Sequence, residues 1–349
     1  MREVDYIIVG LGIAGICFCE ELERQGKSFV VFDASEPKGA TSVAGGVVNP
    51  VVLKRFTPVW NVSPFLKEAF PFYQDLNTKL QADFLDEVCI DRVFKNRQEQ
   101  NDWLVASDGV KLSTFLSAQI ISNANPSVDA PFGLGRVGKA FRMNTTALLN
   151  DYRAYLEEKD CLIPEAFKYG ELVSKETLLY QNYKATSLVF AEGASVVNNP
   201  YFVIDSIIPK KGEYIVIKAP ELKLQNIVKG PFFVIPLGED LYKVGATFAH
   251  GDMAPTITEE GKMQLVAALE KLIHCPFEVV DQMAGFRPTV KDRRPLLGNL
   301  SMKPLYFLNG LGTRGLLMAP LLARQLYDFI ENGLPLPEDV NIRRFLHDS

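Results

Sequence analysis

Cysteine and histidine are scarce in this 349-residue chain, and that scarcity removes whole classes of chemistry. The five cysteines, Cys17, Cys19, Cys89, Cys161 and Cys275, are odd in number, scattered, and contain no Cys-x-x-Cys pair. No disulfide framework follows, and a reducing cytoplasm is the simplest expectation. Of the three histidines, His250, His274 and His347, none stands at ligand spacing from a cysteine or from another histidine. A metal enzyme is not expected. No uncharged run approaches the ~20 apolar residues of a membrane helix, and Glu3 and Asp5 stand where a secretion signal would carry its basic region. We expect a soluble chain. Positive charge is not in excess either: 37 Lys and Arg against 42 Asp and Glu give a net charge of -5. That weakens nucleic-acid binding in bulk but leaves room for a local basic patch. Internal repeats and low-complexity tracts are also missing.

What is present is ordinary globular material, 47% apolar and 23% charged, long enough for two domains or for one large domain with a second layer. "DYIIVG" is a short β-branched run and predicts a buried parallel strand. "LGIAGICFCEELERQG" predicts a helix, apolar on one face, with Glu20, Glu21, Glu23 and Arg24 on the other and a stop at Gly26. "SFVVFDAS" predicts a second strand, completing a βαβ unit. Residues 63 to 82 predict a helix broken at Pro71, and "RMNTTALLNDYRAYLEEKD" predicts another. Residues 88 to 140 show no single period. Beyond 160, "AFKYGELV", "TSLVFAEGA", "GEYIVIKA", "PFFVIPLG" and "LYKVGATF" read as short strands. "TEEGKMQLVAALEKLI" returns to a helix, and the chain closes on strand, Gly-rich turn and long helix ending at Gly333.

Gly10, Gly12 and Gly15 form G-x-G-x-x-G between strand and helix, with Ile13 and Ala14 between the last two. Gly10 suits the tight turn, Gly12 the close approach of backbone to a pyrophosphate, and Gly15 the packing of helix on strand. Asp33, followed by Ala34, ends the second strand where an acid accepts ribose hydroxyls. An acid there disfavours a 2'-phosphate, so FAD or NAD is expected and NADP is not. Three glycines alone would be weak evidence, since turns use glycine for ordinary backbone reasons. Soon after, "ATSVAGGVV" offers Thr41, Ser42, Gly45 and Gly46, small and hydroxyl residues suited to a phosphate chain and a flat ring. A plain Ala/Gly/Ser loop would look similar.

From here the chain resembles the D-amino-acid oxidase superfamily of FAD enzymes, which includes glycine oxidase and sarcosine oxidase. The matching segments run in order: "SLVFAEGAS", "PKKGEYIVI", "VIPLGEDLYKVGATF", "MAGFRPTVKDRRPLLG" and "LNGLGTRGLLMAPLLARQL". The resemblance covers nearly the whole chain, thinning between 85 and 140, and favours FAD over NAD. "GGVVNPVV" and "GLGTRGLLMAPL" look most like the oxidase half of the bifunctional enzymes that modify the tRNA wobble uridine. The implied fold is α/β with an α+β second part: a Rossmann-like FAD-binding domain over 1-60, 141-205 and 284-349, and a discontinuous, strand-rich substrate domain over 61-140 and 206-283.

The resemblance implies oxidation of the C–N bond of a small amine or amino acid bearing a carboxylate, by hydride transfer to the flavin. Alternatives are oxidation of carboxymethylaminomethyl-uridine in tRNA, for which Lys54, Arg55, Lys291, Arg293 and Arg294 could supply a basic surface, and a non-catalytic flavin-binding protein. Arg287 matches the family's carboxylate ligand, where a planar guanidinium fork fixes the substrate's angle. Gly310, Gly312 and Gly315 surround Thr313 and Arg314, ahead of Leu316, in a turn expected to offer N–H groups to the flavin. Arg314 would reach the substrate or form a structural ion pair. Val173 would lie beside the adenine, and Gly193 would mark close approach to the cofactor; Glu192 between Ala191 and Gly193 has no evident role. Residues 283 to 318 contain no cysteine, so the FAD should be non-covalent. Tyr242 or Tyr201 is the expected second carboxylate ligand, although such tyrosines are more often core.

Overall fold

A computed structural model describes residues 1–34, 39–174, 177–248, 254 and 256–346; His250 and His347 lie outside them. The chain builds two large sheets joined by helices. In the first sheet the strand Arg2–Val9 lies between Phe29–Phe32 and Tyr183–Phe190, parallel to both, with Ile7 opposite Val30 and Leu188. Tyr6, Ile7 and Ile8 are fully buried, which is why the strand reads as a continuous apolar run. Leu305–Asn309 extends the sheet in parallel beyond Tyr183–Phe190, and Leu162–Ile163 does so beyond Phe29–Phe32. The βαβ start and the Rossmann-like architecture are as the glycine pattern implied.

Helix Ile13–Arg24 covers one face of this sheet and is itself covered. Its acidic side does not face open water: Lys79 bonds Glu20 and Glu23, each at 2.5 Å, and the Tyr152 and Tyr155 hydroxyls donate to the same carboxylates. These partners come from helices Val62–Lys79 and Thr145–Glu158. The expected break at Pro71 does not occur, because Pro71 sits inside Val62–Lys79 on an exposed face, where water can satisfy the carbonyl that loses its N–H.

The second sheet runs Glu278–Val290, Ile207–Lys218, Leu241–Gly245, Phe233–Gly238, Ile227–Lys229, Leu85–Val93, Leu134–Met143 and Val47–Val48. One face packs on helix Glu259–Glu270 through Ile215, Ile217, Tyr242, Val244, Leu265 and Leu269. The other faces the first sheet. The aperiodic stretch 88 to 140 holds helix Arg97–Asp108 and a strand, Leu116–Ile121, paired with Leu134–Met143. Its pattern is obscured by glycine: Gly135 has no side chain because Trp103 and Phe94 fill that space, 2.5 and 2.6 Å from where a Cβ would stand. Instead of the expected strand, "AFKYGELV" gives a 3-10 turn at Tyr169–Glu171 and only Val173–Ser174 as strand.

Strands run across the expected domain boundaries: Val47–Val48, Leu134–Met143 and Glu278–Val290 all belong to the second sheet. We propose that the sheets nevertheless mark a cofactor half and a substrate half, meeting along these shared strands. No helix of the described residues is long and apolar enough to cross a membrane.

Candidate active site

At the fingerprint, Gly10 has φ +96°, and a Cβ there would lie 2.7 Å from the Ala191 carbonyl oxygen. A Cβ on Gly15 would land on the Gly10 carbonyl oxygen, so the helix can sit this close to the strand only without one. The carboxylate of Asp33 accepts a bond from the Leu11 N–H at 2.9 Å and holds the guanidinium of Arg153. Buried Thr41 accepts the Ile13 N–H at 3.0 Å, while the Ser42 hydroxyl turns back to the Gly39 carbonyl at 2.8 Å. Ala14 is buried against the sheet, and Ala34 is exposed just past Asp33. Gly46, at φ +71°, lies against the Met143 backbone, so the chain crosses from the first sheet to the second where no side chain fits.

The C-terminal turn closes onto the same place. Gly310 and Gly312 take positive φ, the Gly312 N–H bonds the Pro288 carbonyl at 3.0 Å, and helix Gly315–Glu331 starts beyond exposed Thr313, with Leu316 buried. A Cβ on Gly315 would stand 3.0 Å from Ile13. The N-termini of helices Ile13–Arg24 and Gly315–Glu331 therefore meet; their own cap residues, Gly12 and Arg314, place no side chain on them, and Thr41 takes the Ile13 N–H. Arg314 spans the gap: its Nη1 donates 2.6 Å to the Asn49 carbonyl, and burial pushes its pKa down to about 10.

Facing this cradle, the second sheet carries a group drawn from three strands. Gly212 pairs with Gly285, Lys210 with Arg287, Tyr214 with Gly245 and Val216 with Lys243, so Tyr214, Lys243 and Arg287 share one face. The glycines clear it. The Arg287 guanidinium lies over Gly212, the Tyr214 ring over Gly245, and Val43 of the short helix Ala40–Val43 over Gly285. Arg287 donates to the Thr247 carbonyl at 3.3 Å and stands 4.5 Å from the centre of the Phe248 ring. Burial lowers its pKa, an effect that the neighbouring Tyr214 partly offsets. The Tyr214 hydroxyl accepts the Gly45 N–H at 3.3 Å, linking the second sheet to the cradle. Lys243 donates 2.8 Å to the Ala44 carbonyl and lies 5.0 Å from the Tyr214 ring centre.

The sequence profile of the FAD dependent oxidoreductase (DAO) family matches residues 5–328. The chain belongs to this family. An uncharacterized oxidoreductase, YurR, from Bacillus subtilis is 24% identical over 92% of this chain and 93% of its own length. The tRNA 5-methylaminomethyl-2-thiouridine biosynthesis bifunctional protein MnmC of Campylobacter jejuni is 23% identical over 93% of this chain, which spans 55% of that larger protein. The crystal structure of glycine oxidase from Geobacillus kaustophilus superposes with a TM-score of 0.79 at 20% identity, covering 95% of each chain. The protein is thus an FAD-dependent oxidoreductase with the fold of that oxidase.

The donor set of this FAD enzyme fits its cofactor. Two helix N-termini meet whose own cap residues, Gly12 and Arg314, give them no side-chain oxygen, Gly312 has nothing nearer than 4.0 Å to a would-be Cβ, and Gly193 has nothing within 4 Å. Such N–H groups and open glycines suit a pyrophosphate and an electron-rich ring. Gly193, at φ +57°, also accepts Asn309 Nδ2 at 3.0 Å, tying two strand ends together. Val173 lies 44% exposed on an edge strand, its backbone open to one side. Neither expected tyrosine reaches Arg287. Tyr242 points to the opposite face, into the core beneath helix Glu259–Glu270, because it is one residue out of phase with Lys243. Tyr201 stacks on Phe190 in the first sheet. Tyr214 is the tyrosine beside Arg287, and its signal was legible in "PKKGEYIVI": it lies on the same strand face as Gly212. Arg153, on a separate helix, carried no signal. Glu192 does have structural partners: its carboxylate accepts the Tyr169 hydroxyl at 2.5 Å and Asn199 Nδ2 at 2.8 Å. Enclosure without a cation raises its pKa to about 7.

Proposed function

We propose that the protein oxidises the C–N bond of a small amine or amino acid bearing a carboxylate, with FAD held non-covalently. The observation that carries this reading is Arg287, aimed across Gly212 at the cradle and unmatched by any acidic partner among the described residues. FAD, when bound, accepts hydride from the carbon next to nitrogen, leaving an imine that water hydrolyses. The chain's own residues bind and orient. Gly10, Gly12, Gly15 and the N-terminus of Ile13–Arg24 hold the pyrophosphate, and Asp33, steadied by Arg153, takes ribose. The Gly312–Gly315 turn faces the flavin with the N–H groups of Thr313 and Gly315, those of Gly312 and Arg314 being held by the Pro288 and Leu311 carbonyls. Arg287 takes the substrate carboxylate in its fork, and Tyr214 keeps that fork flat on the sheet. Arg314 is a positioning residue: bonded to Asn49, it locks the cradle strand to the C-terminal helix. Cys17 and Cys19, fully buried in the fingerprint helix, are poorly placed to attach a cofactor. We also place the enzyme in the cytoplasm, in keeping with its unpaired cysteines.

Purified protein should be yellow, release free flavin on mild denaturation, and bleach anaerobically with glycine or sarcosine. A colourless preparation that takes up no FAD would refute the reading.

One observation favours tRNA as a second substrate class. Arg294 stacks 4.5 Å from the centre of the Trp60 ring, so the loop 291 to 294 lies beside the hairpin whose tip carries exposed Lys54 and Arg55. The two basic segments of the sequence therefore lie close to each other. tRNA binding that weakens steeply with salt, with flavin bleached by the modified tRNA and by neither glycine nor sarcosine, would put this reading first.

A further inference from the structure

Lys243 is the residue that the single-carboxylate reading leaves unused. It is 8% exposed, and its ammonium makes one hydrogen bond, to the Ala44 carbonyl. Among the described residues it has no ion pair. Burial brings its pKa down to about 8, and Asp281, exposed on the outer strand, offsets only part of this. Arg287, on the same sheet face, likewise lacks an acidic partner. Both cations neighbour one side chain: Lys243 lies against the Tyr214 ring, and Arg287 stands close enough to the Tyr214 hydroxyl for it to raise the arginine's pKa.

Burying one unpaired cation is costly, and burying two on the same face is more so unless an anion completes the site. A monocarboxylate would neutralise one and leave the other. Among the described residues the ammonium uses one of its three donors and the guanidinium one of its five, the bond to the Thr247 carbonyl. Enough donors remain for two separate acids. Resting on the amine-oxidase reading, we propose that Lys243 and Arg287 form a two-cation clamp around Tyr214 that selects amines carrying two anionic groups, such as a secondary amine with a carboxylate on each arm. The amine would be held between the acids, and Lys243 would set specificity where Arg287 sets orientation.

The test uses the FAD-loaded protein and two inert ligands of similar length, glutarate and butyrate, titrated against the flavin spectrum. Glutarate should bind at least 10-fold tighter. Lys243→Met should weaken glutarate about 10-fold more than butyrate, and Lys243→Arg should restore much of the difference. In anaerobic flavin reduction, the ratio of kcat/KM for iminodiacetate over glycine should fall by a similar factor in Lys243→Met. Equal binding of glutarate and butyrate by the wild type would overturn the clamp without any variant having to fold. So would a Lys243→Met protein that reoxidises differently with oxygen yet keeps both ratios, because the lysine would then serve the cofactor. Tight glutarate binding with no reduction by any amine would support the clamp while removing the amine-oxidase reading.

Discussion

The two faces that meet at the site are built on opposite principles. On the first sheet the candidate site offers backbone: Gly10, Gly12 and Gly15 sit within six residues, at the turn into a helix start. On the second sheet it offers side chains, Tyr214, Lys243 and Arg287, brought from three strands by register. Glycine serves both, in different ways. In the fingerprint it lets backbone approach backbone; at Gly212 and Gly245 it lets a large side chain lie flat across a strand. The first device tolerates almost no change, whereas the second can be retuned one side chain at a time, which is how a shared cofactor cradle can serve many substrates.

The sharpest way to break this contrast is Gly15→Val. Its side chain would drive into the Gly10 carbonyl, and the expected outcome is loss of bound FAD together with destabilisation of about 1–3 kcal/mol or more. Flavin-to-protein absorbance and a thermal melt check it; full flavin occupancy would show that the cradle is not what we describe. Next comes Arg287→Met, expected to keep FAD but lose about 4 kcal/mol of transition-state binding, on the order of 1000-fold in kcat/KM for a carboxylate-bearing amine. Loss of flavin in this variant would mean that the two faces are not separable.

A third test concerns the cradle alone. The pKa of Glu192 is raised in the fold from 4.5 to about 7, so its stabilising, protonated state is fully present below about pH 4.5 and is lost as pH rises through 7. The loss amounts to about 3 kcal/mol. Glu192→Gln should abolish that slope and be more stable than wild type at pH 8. Urea midpoints measured from pH 4.5 to 8 decide it, and parallel curves for both proteins would remove Glu192 as the cause. The smallest effect is expected from the double variant Lys54→Glu, Arg55→Glu at the exposed hairpin tip. Reduction by small amines should change less than 2-fold, within the usual range for surface substitutions, while any tRNA affinity should collapse. A large fall in small-amine activity would place the hairpin inside the substrate site.

By itself the sequence was enough for the βαβ start, the glycines at its turn, the position of Asp33 just past the second strand and the final turn-helix, because each depends on residues a few positions apart and on local backbone geometry. "VVNPVVLKRF" shows the limit of that reading. Val47 and Val48 form a strand, but one paired with Phe141 and Arg142 in the second sheet rather than with the neighbouring βαβ unit. Asn49 makes its own turn through Val51, and its carbonyl is claimed by Arg314 from the far end of the chain. Residues 88 to 140 stayed unread for a related reason: Gly135 gives up its side chain to Trp103 and Phe94, so the alternation that marks a strand is missing where packing is tightest. The same applies to the tyrosine beside Arg287. Tyr242 and Tyr214 are equally apt by composition, and a one-residue phase sends the first into the core and the second into the site. Only strand register, a long-range property, could choose between them; the local turn chemistry of the cofactor cradle needed no such choice.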